Sequence, residues 1–414
     1  MIRGDKARLD RTIQELARIG GSSEGMNRFA YTEEEREALH WLKAEFGALG
    51  LAVREDAVGN VFARYEGSEA GLKPILAGSH IDTVRNGGKY DGALGVLSLL
   101  EILRRFREEG ILLRHPLDLV ICKGEEGTRF GATLLGSAAM TGRLTEDDLQ
   151  RRDQDGISLK EAMAAHGYDP SAFPSATLKP GSIAAYLELH IEQARVLETE
   201  QLPIGIVTGI AGPLWLEVTV SGEAGHAGAT PMRIRHDPMP AAAELLLETE
   251  RIAKKFQDTV ATTGQIKALP GSTNVIPASV TFTIDLRDVD IKDRDAAEAM
   301  IREAARHISR ERGVTIELKD LSRIAPVTCS EDLMAVLEEA AAGLELKYRR
   351  MPSGAGHDAM NLAKLCPIGM LFVPSRNGLS HRPDEYTSPE DGIAGTDVLL
   401  QAIRLLDERL DRPS

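Results

Sequence analysis

The 414-residue sequence predicts an α/β fold, a mostly parallel sheet flanked by helices, interrupted by an inserted ferredoxin-like α+β domain. Three observations predict it. Short apolar runs alternate with stretches whose apolar residues recur at helical spacing, the pattern of strands joined by helical crossovers. Four of those runs end at, or shortly before, a His, Asp or Glu, and ligands gather outside the carboxyl ends of parallel strands. Over residues 212–326 the order becomes strand, helix, strand, strand, helix, strand, a split βαβ arrangement.

In chain order, residues 5–20 and 32–49 read as amphipathic helices, and 51–65 as a strand pair around Val58-Gly59-Asn60. Residues 74–77 are a buried strand running into Gly-Ser-His-Ile-Asp-Thr-Val-Arg-Asn-Gly-Gly-Lys-Tyr-Asp-Gly, and a helix follows over 93–107. That loop holds His80, Asp82 and Asp91, with Gly87 and Gly88 permitting a sharp bend. Further strands at 117–122, 184–189 and 368–373 run into Glu125-Glu126, His190 and His381. In the inserted domain, strands are expected at 214–220, 261–268, 279–287 and 314–318, with helices at 240–256 and 293–312. The expected division is 1–211 with 327–414 as the larger domain and 212–326 as the insertion.

With 43% hydrophobic and 27% charged residues, the chain reads as an ordinary globular protein. Its net charge of -14 argues against nucleic acid or an anionic membrane as partner. The charged first twenty residues lack the apolar segment of a signal peptide, and no run is long enough to span a membrane. Cys122, Cys329 and Cys366 are too few for a disulfide framework, so the cytoplasm is the expected compartment.

Imidazoles and carboxylates at strand ends suit a divalent metal, whereas the bland reading makes the aspartates helix caps. Two histidines and two carboxylates exceed what one tetrahedral ion with an open position needs. They suit two ions sharing Asp91, with a water between them. Asp82, two residues beyond His80, is placed to accept the other ring N–H of that histidine. Glu125 and Glu126 are neighbours on an extended backbone and point apart, so one can bind metal while the other reaches the water. In the insertion, His226 lies among small residues, Asn274 in a turn, and Arg287 at a strand end. Arg287 suits carboxylate recognition, with an ion pair to Asp285 or Asp288 as its structural alternative. A glycine-rich turn at Gly356 and His357 could cradle an anion.

Seven motifs in order extend this reading: Gly-Ser-His-Ile-Asp-Thr-Val with Tyr-Asp-Gly, Gly-Glu-Glu-Gly-Thr-Arg-Phe, Glu-Leu-His-Ile-Glu-Gln, His-Ala-Gly-Ala-Thr-Pro-Met, Ser-Gly-Ala-Gly-His-Asp-Ala and Asn-Gly-Leu-Ser-His. The chain resembles the N-carbamoyl-L-amino-acid hydrolase and allantoate amidohydrolase family, within the dinuclear metallo-aminoacylase and carboxypeptidase superfamily. The resemblance implies a metallo-aminopeptidase-like catalytic domain with an inserted lid and dimerisation domain. It implies two divalent ions (zinc, manganese, cobalt or nickel), one held by His80, Asp91 and His190 and the other by Asp91, Glu126 and His381. Glu125 would be the general base and His226 would stabilise the oxyanion. Gln193, Asn274, Arg287, Gly356 and His357 would contact a small ureido substrate, Arg287 through its α-carboxylate. In the implied homodimer, His226 and Asn274 reach the partner's active site. Residues 209–215, apolar where allantoate hydrolases tend to carry Arg, favour N-carbamoyl-L-amino acids. Allantoate is the alternative, then β-ureidopropionate or a peptide. Departures at Gly124, Ala194 and Gly225 touch no expected ligand.

Overall fold

The computed structural model describes residues 2–410. The chain divides into two compact units. One comprises residues up to Thr208, Cys329–Met351 and from His357 onward; the other is Gly209–Thr328 with Pro352–Gly356.

In the larger unit the sheet is mixed. Ile75–His80, Leu117–Cys122, Ala185–Ile191 and Ile368–Val373 lie side by side and pair in parallel. On one flank Val61–Tyr65 and Ala52–Glu55 add antiparallel strands, and on the other Ile204–Ile210 pairs antiparallel with Ile368–Val373. This corrects the expectation of a mostly parallel sheet. A five-residue turn closed by the Asp56 carboxylate on the N–H groups of Val58 and Asn60 can join only antiparallel strands. The four parallel strands are buried along their whole length, and helices cover them. Ala93–Glu108 and Pro389–Arg409 are correspondingly buried on most faces.

The smaller unit is an antiparallel sheet with two helices on one face. Gly212–Ser221 pairs with Ser279–Asp288 and with Thr315–Arg323, and alternation along these strands sends Leu214, Leu216, Val218, Val280, Phe282 and Ile284 into a core with Ala242, Leu245, Ala297 and Ile301. The single strand expected over 261–268 is two, Val260–Thr262 and Ile266–Leu269, both paired with Ser279–Asp288. Thr263-Gly264-Gln265 breaks the run between them.

Candidate active site

The carboxyl ends of the four parallel strands bring His80, Asp82, Asp91, Glu125, Glu126, His190 and His381 together. Asp91 is central. Its Oδ1 lies 3.2 Å from His190 Nε2 and 3.5 Å from His80 Nε2, while its Oδ2 lies 3.4 Å from His381 Nε2. His381 Nε2 is in turn 3.5 Å from Glu126 Oε2. Two groups of these residues could each hold a metal ion, His80–Asp91–His190 and Asp91–Glu126–His381, and a third, Glu188–His190–His357, shares His190.

Hydrogen bonding shows why these groups suit a cation. The Nδ1–H of His190 donates to the Ile191 carbonyl at 2.9 Å, and the Gly92 N–H donates to its Nε2 at 3.2 Å. The Nδ1–H of His80 donates to the Asp82 carbonyl at 3.1 Å. The His80 ring therefore aims its Nε2 lone pair at an Asp91 oxygen, a contact that repels unless a positive charge lies between. Glu126 Oε1 is buried without a hydrogen-bond partner, a further open donor position. Burial alone would raise the Asp91 carboxyl, but His190, His381 and His80 outweigh it and hold it well below the usual carboxylate range. Burial opposes protonation of His80 too, yet Glu125, Asp82 and Asp91 raise its pKa well above normal; the field that holds a proton there also attracts a metal.

Local backbone places these groups. The helix after the loop begins at Ala93, and its N-cap is Gly92 at φ 63° with no side-chain cap, so neither aspartate caps it. A Cβ on Gly92 would lie 2.4 Å from His80 Nε2, which leaves room only for glycine. The expected bend at Gly87 and Gly88 is instead made by Asn86, at φ 52°. The glycines serve close approach: a Cβ on Gly88 would meet Glu385 Oε1 at 2.1 Å.

Asp82 differs from its expected part. Its backbone carbonyl takes the His80 ring proton, and its carboxylate, 3.6 Å from that ring, accepts the N–H groups of Glu125 and Glu126 at 3.1 Å each. It thereby ties the Glu125-Glu126 turn to the His80 strand. Glu125 Oε2 lies 3.8 Å from His80 Nε2, and burial together with Glu126, Asp358 and Asp82 pushes its carboxyl well above the usual range. Burial and Asp91 raise Glu126 to about 7.

Gln193, at φ 59°, donates from Nε2 to Asp91 Oδ2 at 2.7 Å. His357 is buried edge-on against His190, ring centroids 4.6 Å apart, and burial holds it neutral. In the smaller unit, two short strands pair His226 with Val275, and the Ala227 N–H donates to the Asn274 carbonyl at 3.0 Å. His226 is exposed. Arg287 is engaged as its structural alternative foresaw: Nε and Nη2 bind Asp285 bidentately at 2.9 and 2.8 Å, and Nη1 donates to Gly354 O at 2.8 Å. Gly354 adjoins Ser353, whose carbonyl accepts the Ala211 N–H at 2.8 Å, so residues 209–215 and Arg287 converge on one turn.

Sequence reasoning missed Arg28, Ser380 and Glu385. Arg28 is fully buried, and its guanidinium donates to the carbonyls of Ile81, Ile19 and Leu16, fixing the peptide between His80 and Asp82. Ser380 and Glu385 bracket Asp91 from the His381 loop. Their signal was the closeness of both to His381 in Ser-His-Arg-Pro-Asp-Glu.

Residues 76–405, a span holding all five candidate ligands, match peptidase family M20/M25/M40. The chain belongs to this family. Among M20 relatives, it is 45% identical over 404 residues to an N-carbamoyl-L-amino acid amidohydrolase from Geobacillus stearothermophilus, covering 97% of this chain and 98% of that one. It is 40% identical over 397 residues to the allantoate amidohydrolase of Bacillus subtilis (strain 168), covering 94% and 95%. A solved hydantoinase/carbamoylase family amidase from Burkholderia multivorans superposes with a TM-score of 0.93 at 35% identity, covering 98% of each chain. As an M20 protein, the chain is a hydrolase of C–N bonds.

Proposed function

We propose that the chain hydrolyses the carbamoyl C–N bond of N-carbamoyl-L-amino acids to the L-amino acid, ammonia and carbon dioxide. One observation carries the reading: Asp91 turns one oxygen to His80 and His190 and the other to His381, which faces Glu126. These residues would hold two divalent ions with Asp91 shared. The mixed N/O donors accept zinc, manganese, cobalt or nickel. When bound, such ions lower the pKa of a water and polarise the carbamoyl oxygen. Glu125 would take the water's proton and deliver it to the departing nitrogen, and its raised pKa suits it to carry that proton between the two transfers.

The smaller unit would supply recognition, as a lid and as the dimer contact. His226 Nδ1 accepts the N–H groups of Gly228 and Ala229 at 3.1 and 3.2 Å, which leaves its proton on Nε2. That N–H would donate to the oxyanion in the partner's site, with Asn274 beside it. Arg287 spends three of its five donors internally, and the remaining two would meet the substrate's α-carboxylate. Gln193 and the turn at Gly356 and His357 would complete the substrate contacts. The three cysteines are free and buried, which fits a reducing cytoplasm.

Ammonia release from metal-replete protein tests the reading. N-carbamoyl-L-methionine should be hydrolysed fastest, its D-enantiomer not at all, and allantoate and β-ureidopropionate slowly. Faster turnover of allantoate would replace the substrate assignment. Chelation should abolish activity and a divalent ion restore it.

A further inference from the structure

Asp91 reaches toward both metal groups, yet it lies in a loop, where a carboxylate is free to rotate unless something holds it. Gln193 Nε2 holds its Oδ2 directly at 2.7 Å, and the second holding group is Glu385, in the segment just after His381. Its side chain is buried, and Oε1 accepts the N–H groups of Tyr90 and Asp91 at 2.9 and 3.1 Å. Ser380 Oγ lies 2.8 Å from Asp91 Oδ2 and 3.0 Å from Glu385 Oε2, so its single hydroxyl proton is shared between the two carboxylates. One carboxylate thus grips the Asp91 backbone directly and its side chain through Ser380. Gly88 supports the grip, because any Cβ there would occupy the Glu385 carboxylate's place.

We propose that Glu385 is a positioning residue that sets the orientation of Asp91 and couples it to the His381 loop, so that both metal groups form together. The proposal rests on Asp91 being shared between two ions. Partners behind metal ligands typically change metal affinity by about 10–100-fold when removed. After Glu385→Gln, the amide oxygen could still accept both N–H groups, and the amide NH2 could donate to Ser380 Oγ, leaving the hydroxyl proton on Asp91. An alanine could do neither.

The test is Zn²⁺ titration, by calorimetry, of chelator-stripped wild type, Glu385→Ala, Glu385→Gln, Ser380→Ala and Asp91→Asn, with thermal unfolding of each metal-free protein alongside. Glu385→Ala and Ser380→Ala should weaken binding of at least one of two equivalents by about 10–100-fold. Glu385→Gln should stay close to wild type, and the metal-free melting temperature of Ser380→Ala should be unchanged. Wild-type affinity for both equivalents in Ser380→Ala and Glu385→Ala would overturn the tether, as would a Glu385→Gln protein no better than Glu385→Ala. If Glu385→Ala does not fold, Ser380→Ala and Glu385→Gln decide. Asp91→Asn separates the two ideas: retention of both equivalents there refutes the shared ligand itself, whereas loss there alone refutes only the tether.

Discussion

At the scale of single residues, Glu125 is the sharpest test of the chemistry. Glu125→Gln keeps size and hydrogen bonding but removes the proton acceptor. Turnover should fall by roughly 10²–10⁴-fold with metal still bound, measured by ammonia release and metal analysis. Near-normal turnover would exclude Glu125 as base. Arg287→Ala should raise KM for carboxylate-bearing substrates; an unchanged KM would leave Arg287 with only its Asp285 partnership. The residues gathered at the strand ends were legible because each apolar run stops at a chemistry-bearing side chain. How Asp82 acts was not legible. Residue order cannot tell whether a backbone or a carboxylate oxygen takes the His80 proton, since both lie two positions away. Arg28 was illegible for a related reason: a lone arginine in a polar loop carries no sign that it will be buried beneath another loop.

At the scale of elements, the start of the Ala93–Glu108 helix is built around one glycine. Gly92→Ala would suffer twice, from a left-handed φ and from a Cβ driven into the His80 ring. Metal binding should fail while the helix, buried along most of its length, persists. Calorimetric titration together with circular dichroism checks both halves of that expectation. Arg28→Ala would leave the buried Ile81 carbonyl without its donor and remove the part-buried bond to Ile19, so chemical denaturation should show a loss of about 1–3 kcal/mol or more. The strands themselves were readable from apolar runs, and most ends fell within a few residues. Only the pair over 51–65 revealed its direction, through its short turn; elsewhere direction was not readable, because it is set by the length and closure of the connections rather than by strand composition. The flanking antiparallel strands are the result.

For the whole molecule, the proposed dimer predicts complementation. His226→Ala and Glu125→Gln proteins, each nearly inactive, should regain activity when dissociated and reassociated together. One mixed pair would then contain a site with its own Glu125 and the partner's intact histidine. No recovery, with mixed dimers shown to form, would confine His226 to its own subunit. The change of element order predicts an insertion over 212–326, and the smaller unit runs over Gly209–Thr328; the return of Pro352–Gly356 to it was not legible, because so short a segment carries no periodicity.

The link from Ser380 to Asp91 joins positions 289 residues apart. Synthesis therefore delivers the shared carboxylate long before the loop that orients it, and long-range contacts of this kind form late in folding. A nascent chain halted before Ile368 would carry His80, Asp91, Glu126 and His190 without Ser380, His381 or Glu385. Such a chain would lack the Asp91–Glu126–His381 group. Metal loading is in this sense a readout of completed translation.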